Sequence, residues 1–171
     1  MPSASTSNTL PPKPAKFTPA QSILHAEFTD PPEFKKRVYR GRRALGVRYE
    51  KLVQEYLQFR FGGLYLPSPW IKFFGDGRWR WCQPDGVLFQ PARGAIVIVE
   101  CKYQHTLDAW WQVRHLYQPV LEHIFPRTLW KYEACEIVKW YDPAIQFPEP
   151  VVLAHDVGLS HKHFKVHIHK P

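Results

Sequence analysis

Two periods of apolar and polar residues occur along the chain, and each predicts a different kind of element. Between about residues 42 and 61, apolar side chains recur three and four positions apart, which predicts an amphipathic helix with one buried stripe. The stripe comprises Leu45, Tyr49, Leu52, Val53, Tyr56 and Leu57. The glycine pair at residues 62–63 is typical of a helix end, so the helix is predicted to stop there.

Two short apolar runs around a turn-forming segment predict a β-hairpin. The runs cover residues 87–89 and 95–99, and residues 90–94 between them include proline and glycine. A turn centred in that segment places Asp85 opposite Glu100. Because opposed side chains on neighbouring strands have Cβ atoms about 5 Å apart, two carboxylates there repel each other. A divalent cation would remove this repulsion, since hard metal ions take carboxylate oxygens.

Further apolar runs predict more strands and a second helix. Residues 70–74 and 78–81 are predicted strands joined by a tight Gly-Asp-Gly turn. A helix is predicted from about residue 106, with a kink or restart at Pro119. Two more strands are predicted at residues 133–141 and 150–157. The order is thus helix, strands, helix and strands.

The C-terminal segment alternates strictly from residue 164, which predicts a last strand. Its apolar side chains are expected to face the core, and its lysine and histidine side chains to face solvent, as on an edge strand. The two sets are Phe164, Val166 and Ile168, and Lys165, His167 and His169. Histidines on one strand face also suit a transition metal, but no cysteine or acidic partner accompanies them locally.

Composition favours one domain with a polyanionic partner. The 171 residues are 44% hydrophobic, and the net charge of +8 favours nucleic acid, although charge alone also suits a membrane surface or plain solubility. Residues 1–32 are rich in Pro, Ser, Thr and Ala, and most of them are predicted to form a flexible arm, although residues 23–24 and Phe28 suit local docking. Residues 33–171 are predicted to form a single domain.

The cysteines and the apolar runs indicate the compartment. Cys82, Cys101 and Cys135 are an odd number without CxxC spacing, which favours reduced core thiols over a disulfide or zinc framework. No apolar run has the length of a membrane span, and the N-terminus lacks the pattern of a signal peptide. We therefore expect an intracellular, cytoplasmic protein that does not enter a membrane.

The hairpin carries the candidate chemistry. Because side chains alternate along a strand, Lys102 shares a face with Glu100, whereas Cys101 points to the other face. Asp85, Glu100 and Lys102 therefore meet at one place. The alternative is a buried structural hairpin in which Glu100 and Lys102 simply neutralise each other.

A proline before Asp85, followed by Glu100-x-Lys102 after an Ile-Val-Ile-Val run, resembles the PD-(D/E)xK nuclease superfamily. The resemblance covers residues 41–125. It implies an α/β fold with a restriction-endonuclease-like core, in which helices flank a mixed central sheet. It also implies Mg²⁺ or Mn²⁺ as cofactor, with Asp85, Glu100 and the main-chain carbonyl of Cys101 as ligands. Lys102 would orient a water molecule or stabilise the transition state.

The resemblance also implies a carboxylate from the first helix. Glu50 is the candidate, either as a third metal ligand or as a group that orients water. Gly46, one turn before it, would let a backbone approach closely. Glu55 is a weaker candidate, farther along the helix. The alternative is a surface glutamate that pairs with a neighbouring cation, namely Arg42, Arg43 or Lys51.

The second helix is implied to bring a glutamine near the site. Gln112 is the candidate, with Gln118 behind it. The chain departs from the Q-x-x-x-Y pattern of some superfamily members, because Tyr117 follows Gln112 by five residues. His105 suits a phosphate contact or a proton carrier, but a polar loop histidine is the simpler interpretation.

Two basic segments are candidate contacts to DNA. The first enters the first helix and includes Arg37, Arg40, Arg42 and Arg43, and the second contains Arg78 and Arg80. A solvated basic face is the alternative for the first segment. Trp79 and Trp81 alternate with the two later arginines and are expected in the core rather than as platforms for bases.

Together these observations predict a Mg²⁺-dependent nuclease that hydrolyses DNA phosphodiester bonds. The small size favours a structure-specific or end-processing endonuclease, resolvase-like or virus-encoded, over a sequence-specific restriction enzyme. A resolvase-like enzyme acts as a homodimer. The alternative is a DNA-binding or structural protein of a larger assembly that has the same fold and does not cut. The sequence contains neither a glycine-rich phosphate loop nor a Gly-x-Ser-x-Gly motif.

Overall fold

A computed structural model describes residues 18–33, 38–155 and 163–171. The strands of this part are β1 (His25–Thr29), β2 (Tyr65–Pro67), β3 (Trp70–Gly75), β4 (Arg78–Cys82), β5 (Gly86–Gln90), β6 (Ala95–Gln104), β7 (Lys131–Trp140), β8 (Val151–Ala154) and β9 (Phe164–Ile168). The helices are α1 (Arg42–Phe61), α2 (Leu107–Gln112) and α3 (Gln118–Ile124), and a π-helical segment, Val113–Tyr117, joins α2 to α3.

The larger sheet is mixed and has the strand order β2-β5-β6-β7-β9-β8. β2, β5 and β6 pair antiparallel, whereas β6, β7, β9 and β8 pair parallel. Parallel neighbours need a crossover connection, and the α2–α3 segment supplies it between β6 and β7. One face of this sheet packs on α1, and the other packs on α2, α3 and a smaller sheet. The mixed α/β class expected from the sequence is confirmed.

α1 occupies the predicted range, but its buried stripe is narrower than predicted. Tyr49, Val53 and Leu57 are buried against the sheet, whereas Leu45 and Leu52 are 43% and 48% exposed. Residues four apart lie along one line of a helix, and the single sheet beneath α1 covers only that line. The predicted burial of the two leucines was wrong for this reason.

The smaller sheet has the order β1-β3-β4 and is antiparallel. β1 lies within residues 1–32 and contains Phe28, one of the residues expected to dock locally. β1 lacks regular alternation and gave no strand signal. Arg80 fixes the chain before β1, because its guanidinium donates to the main-chain carbonyls of Thr18 (2.6 Å) and Pro19 (2.8 Å). Residues 1–17 of the predicted arm lie outside the described residues.

The two tryptophans of β4 face away from the core. Trp79 and Trp81 are 45% and 41% exposed, so their predicted burial was wrong. Alternation along β4 gives the inner face to Arg80 and Cys82, and Arg80 lies over the ring of Phe73. Arg80 and Cys82 therefore occupy the core-facing positions of β4, and the two tryptophans face outward.

The C-terminal strand is internal rather than an edge. β9 lies between β7 and β8, and Lys165 and His167 are buried there, contrary to prediction. His167 Nδ1 makes a hydrogen bond with the main-chain carbonyl of Ala154 on β8. Because β8 covers the outer side of β9, the basic side chains are enclosed and Ile168 is exposed instead.

Candidate active site

The β5–β6 hairpin brings Asp85 and Glu100 together. Gly86 pairs with Val99 in the antiparallel register, and the same register places Asp85 opposite Glu100 one step farther along. β5 begins at Gly86, so β6 continues past Glu100 without a partner strand on that side. Asp85 Oδ2 accepts a hydrogen bond of 2.7 Å from the main-chain N–H of Cys101 and thereby serves as that partner.

The main chain of Asp85 is held from the opposite side of the sheet. Its carbonyl oxygen accepts hydrogen bonds from Gln54 Nε2 (3.1 Å) and from the hydroxyl of Tyr65 (3.2 Å). Gly86 leaves room for the Tyr65 ring, since a Cβ at that position would lie 2.3 Å from the hydroxyl oxygen. The contact with Tyr65 therefore depends on a glycine directly after the aspartate.

Lys102 connects the hairpin to the second helical region. Its ammonium donates hydrogen bonds to Glu100 Oε1 (2.6 Å) and to Gln112 Oε1 (2.9 Å). Lys102 and Glu100 share one face of β6, as the period of a strand requires, whereas the Cys101 side chain is buried on the α1 side. The glutamine chosen from the sequence thus lies at the predicted position.

Glu50 lies on α1 and is linked to the hairpin through Gln54. Its Oε1 accepts a hydrogen bond of 3.2 Å from Gln54 Nε2, the amide that also binds the Asp85 carbonyl. Its pKa is raised by burial and by the charge of Glu100. Of the cations named in the alternative interpretation, Lys51 lies 3.9 Å from the exposed Glu55.

We refer to Asp85, Glu100, Glu50, Lys102 and Gln112 as the cluster. Its carboxyl groups resist ionisation. Burial raises the pKa of Asp85 well above its ordinary value, and the charges of Glu100 and Glu50 raise it further. Burial also raises the pKa of Glu100, and the ammonium of Lys102 opposes this effect. Burial alone would lower the pKa of Lys102, but Glu100 and Asp85 outweigh it and raise the pKa. One lysine cation thus faces three carboxyl groups.

The π-helical segment explains the spacing of Gln112 and Tyr117. A π-helix bonds residues five apart, so two positions that differ by five lie over each other as four-apart positions do in an α-helix. Gln112 directly precedes the segment and Tyr117 ends it. Burial and the charges of Glu100 and Asp85 raise the pKa of Tyr117. The π-helical segment therefore gives the five-residue spacing the relation that a four-residue spacing has in an α-helix.

Glu136 and His105 are two further buried residues beside the cluster. Glu136 lies directly beside Glu100 in the parallel β6–β7 register, and its carboxylate binds the His105 ring and the main-chain N–H of Thr106. His105 is therefore a core residue and not the polar loop histidine of the sequence interpretation. An acidic residue inside the apolar run of β7 was the signal that could have identified Glu136.

The carboxylate oxygens of the cluster suit a hard divalent cation by their chemistry, although their side chains are not arranged as a complete metal site. Within residues 18–33, 38–155 and 163–171, no three His, Cys, Asp or Glu side chains are gathered so that they could hold a metal ion. Glu100 Oε2 is buried and has no hydrogen-bond partner. Burial and the charge of Glu100 raise the pKa of both Asp85 and Glu50. Unpartnered carboxylate oxygen is the ligand chemistry that Mg²⁺ and Mn²⁺ prefer.

The basic residues chosen as DNA contacts differ in their availability. Arg40, Arg42, Arg43 and Arg78 are exposed. Arg80 is engaged with main-chain carbonyls and with Asp76, which points to a structural role. Arg37, the remaining candidate, lies outside the described residues.

Comparisons with known proteins add no relative. No family model, no curated protein and no solved structure matches the chain. Among the described residues, the helices are too short or too polar to cross a lipid bilayer.

Proposed function

We propose that this chain is a metal-dependent nuclease that hydrolyses phosphodiester bonds in DNA. The observation that carries the proposal is that Asp85, Glu100 and Lys102 of the hairpin lie together, with Gln112 bound to Lys102 and with Glu50 nearby on α1. A structural hairpin needs only the Glu100–Lys102 pair and gives no reason for the other three. The hairpin, the parallel strands that follow it and helices on both faces support a restriction-endonuclease-like core.

The residues of the cluster divide into ligands and a cation. Asp85, Glu100, Glu50 and the main-chain carbonyl of Cys101 would hold Mg²⁺ or Mn²⁺, which when bound lowers the pKa of a water molecule and neutralises phosphate charge. Lys102 donates hydrogen bonds to Glu100 and Gln112, and in the proposed reaction it would orient a water molecule or stabilise the transition state. Gln112 holds the Lys102 ammonium at a fixed place, where it stabilises negative charge on the phosphate.

The rest of the chain supports a nucleic acid as substrate. The net charge of +8 favours a polyanion, and Arg40, Arg42 and Arg43 are exposed at the start of α1, the helix that carries Glu50. Such contacts are salt-dependent and independent of base sequence. The small size of the domain is consistent with a structure-specific or end-processing endonuclease. Such an enzyme, of the resolvase or phage kind, would act in the cytoplasm.

Cleavage of labelled DNA tests the proposal. Linear duplex, single strand, flap and four-way junction are incubated with Mg²⁺, with Mn²⁺ and with EDTA, beside the Asp85→Ala and Lys102→Ala proteins. We expect metal-dependent cutting by the wild type and none by either variant. A wild type that binds these DNAs without cutting any of them would contradict catalysis and would favour the binding protein of a larger assembly.

A further inference from the structure

The outer face of the smaller sheet carries an aromatic surface. Trp79 and Trp81 alternate along β4 and project from the sheet, with 45% and 41% of their surfaces exposed. On the neighbouring strand, Phe74 pairs with Trp79 and Lys72 pairs with Trp81. We refer to Trp79, Trp81, Phe74 and Lys72 as the aromatic face. Contiguous exposed aromatic side chains mark interaction sites on soluble proteins more often than scattered ones do.

One lysine lies over the indole rings. The ammonium of Lys72 is 4.5 Å from the Trp79 ring centre and 5.8 Å from the Trp81 ring centre. Glu27 on β1 pairs with Lys72 in the strand register, and its carboxylate lies 3.5 Å from the His25 ring nitrogen Nε2. The aromatic face thus combines two flat rings with a cation beside them.

This combination fits unpaired nucleic acid. Two residues along a strand advance about 6.7 Å, and successive bases of an unpaired strand can stack on aromatic rings arranged in this way. A duplex cannot use such rings, because its bases are already stacked on each other. We propose that the aromatic face binds single-stranded nucleic acid, with neighbouring bases stacked on Trp79 and Trp81 and with Lys72 contacting the phosphate between them.

The aromatic face lies close to the candidate active site along the chain. Four residue steps separate Trp81 from Asp85, a distance of at most about 14 Å. The connection is fixed, since Gln83 Nε2 donates to the Ser68 carbonyl (2.9 Å) and the Ser68 N–H donates to the Asp85 carbonyl (3.0 Å). If the proposed function holds, on which this step rests, the substrate carries an unpaired segment that passes from the aromatic face to the carboxylates.

Fluorescence anisotropy with labelled oligothymidylate in EDTA tests the binding without any cleavage. Each lost ring is expected to weaken binding by on the order of tenfold, so the Trp79→Ala/Trp81→Ala protein should bind roughly 100-fold more weakly. The Trp79→Phe/Trp81→Phe protein keeps two rings and should retain most of the affinity. Phe59→Ala is the matched control, because it removes a 91% exposed ring from α1, and it should bind like the wild type.

Two further measurements test the phosphate contact of Lys72 and separate binding from cleavage. Lys72→Ala should reduce the slope of log K against log salt by about 0.7, the value for one phosphate contact to a single strand. Asp85→Asn should bind oligothymidylate normally while failing to cut, which separates this proposal from the proposed function. Wild-type affinity in the double alanine protein, or no binding by the wild type, would overturn the proposal and leave a protein as the partner of this face.

Discussion

Asp85 and Glu100 lie opposite each other one step beyond the last backbone pair of the β5–β6 hairpin, and burial together with the charge of Glu100 raises the pKa of Asp85. Directly opposed like charges destabilise a strand pair. Here Glu50 adds a third carboxyl group, whereas Lys102 supplies a single positive charge. The hairpin thus carries a repulsion that a divalent cation would remove.

Replacing Asp85 with asparagine is expected to stabilise the protein at neutral pH. The pKa of Asp85 is higher in the folded protein than in the unfolded one, so the folded state holds the proton more tightly. Stability is therefore lost as the pH rises from about 4, the ordinary value, through the folded value. Each unit by which the folded pKa exceeds the unfolded pKa corresponds to about 1.4 kcal/mol of lost folding stability above both pKa values. Asp85→Asn avoids this loss.

Thermal unfolding in EDTA at pH 4 and at pH 7.5 measures this effect. We expect Asp85→Asn to raise the Tm at pH 7.5 and to change it little at pH 4. Glu55→Gln is the control, because Glu55 is exposed on α1 near Lys51 and should give no such pH-dependent gain. An equal or lower Tm for Asp85→Asn at pH 7.5 would show that Asp85 is not under electrostatic strain.

The hairpin and its charged residues could be predicted because their signals are local. Strand alternation, the turn segment and the position of Asp85 fix the register without knowledge of the rest of the fold. The α1 range followed from its period in the same way. Gln112 was selected through the resemblance, and its contact with Lys102 depends on where α2 packs.

Features that depend on tertiary packing could not be predicted. The π-helical segment between Gln112 and Gln118 leaves no mark in the apolar period. β1 forms a strand by pairing with the edge of β3. Trp79 faces outward because Arg80 and Cys82 occupy the inner side of β4. The alternation of residues along a strand shows which side chains share a face, but it does not show which face packs against the core.

Removing Lys102 while Glu100 remains is expected to destabilise the fold. Glu100 is 2% exposed, and a buried carboxylate that loses its cation costs about 3–5 kcal/mol. Lys102→Met should therefore lower the urea midpoint at pH 7.5, and adding Glu100→Gln should recover much of the loss. If the single and double variants unfold at the same urea concentration, the two side chains are not coupled in the way that the structure indicates.

Gln112 is expected to affect cleavage more than stability. It is partly exposed, and its amide oxygen holds the Lys102 ammonium, so Gln112→Ala should reduce the cleavage rate by about 10- to 100-fold through loss of positioning. Gln118→Ala is the matched control, because that side chain binds Arg114 and Glu122 away from the cluster. Equal loss of cleavage per folded molecule in both variants would contradict the assigned role.

Gly86 is expected to tolerate no side chain. A Cβ would lie 2.3–2.6 Å from atoms of the Tyr65 ring, so Gly86→Ala must displace the ring or the Asp85 backbone. Such overpacking costs about 1–3 kcal/mol. Gly63→Ala is the control, because no atom lies within 4 Å of the added carbon. Urea unfolding should separate the two variants, and equal midpoints would show that Tyr65 adjusts freely.

Binding of Mn²⁺, followed by electron paramagnetic resonance, tests for a metal site at the hairpin without any knowledge of the substrate. We expect that the wild type binds Mn²⁺, that Asp85→Asn and Glu100→Gln lose this binding, and that Glu55→Gln retains it. A wild type that leaves Mn²⁺ free at millimolar concentration, or equal binding by Asp85→Asn, would contradict a metal site at the hairpin and the nuclease activity with it.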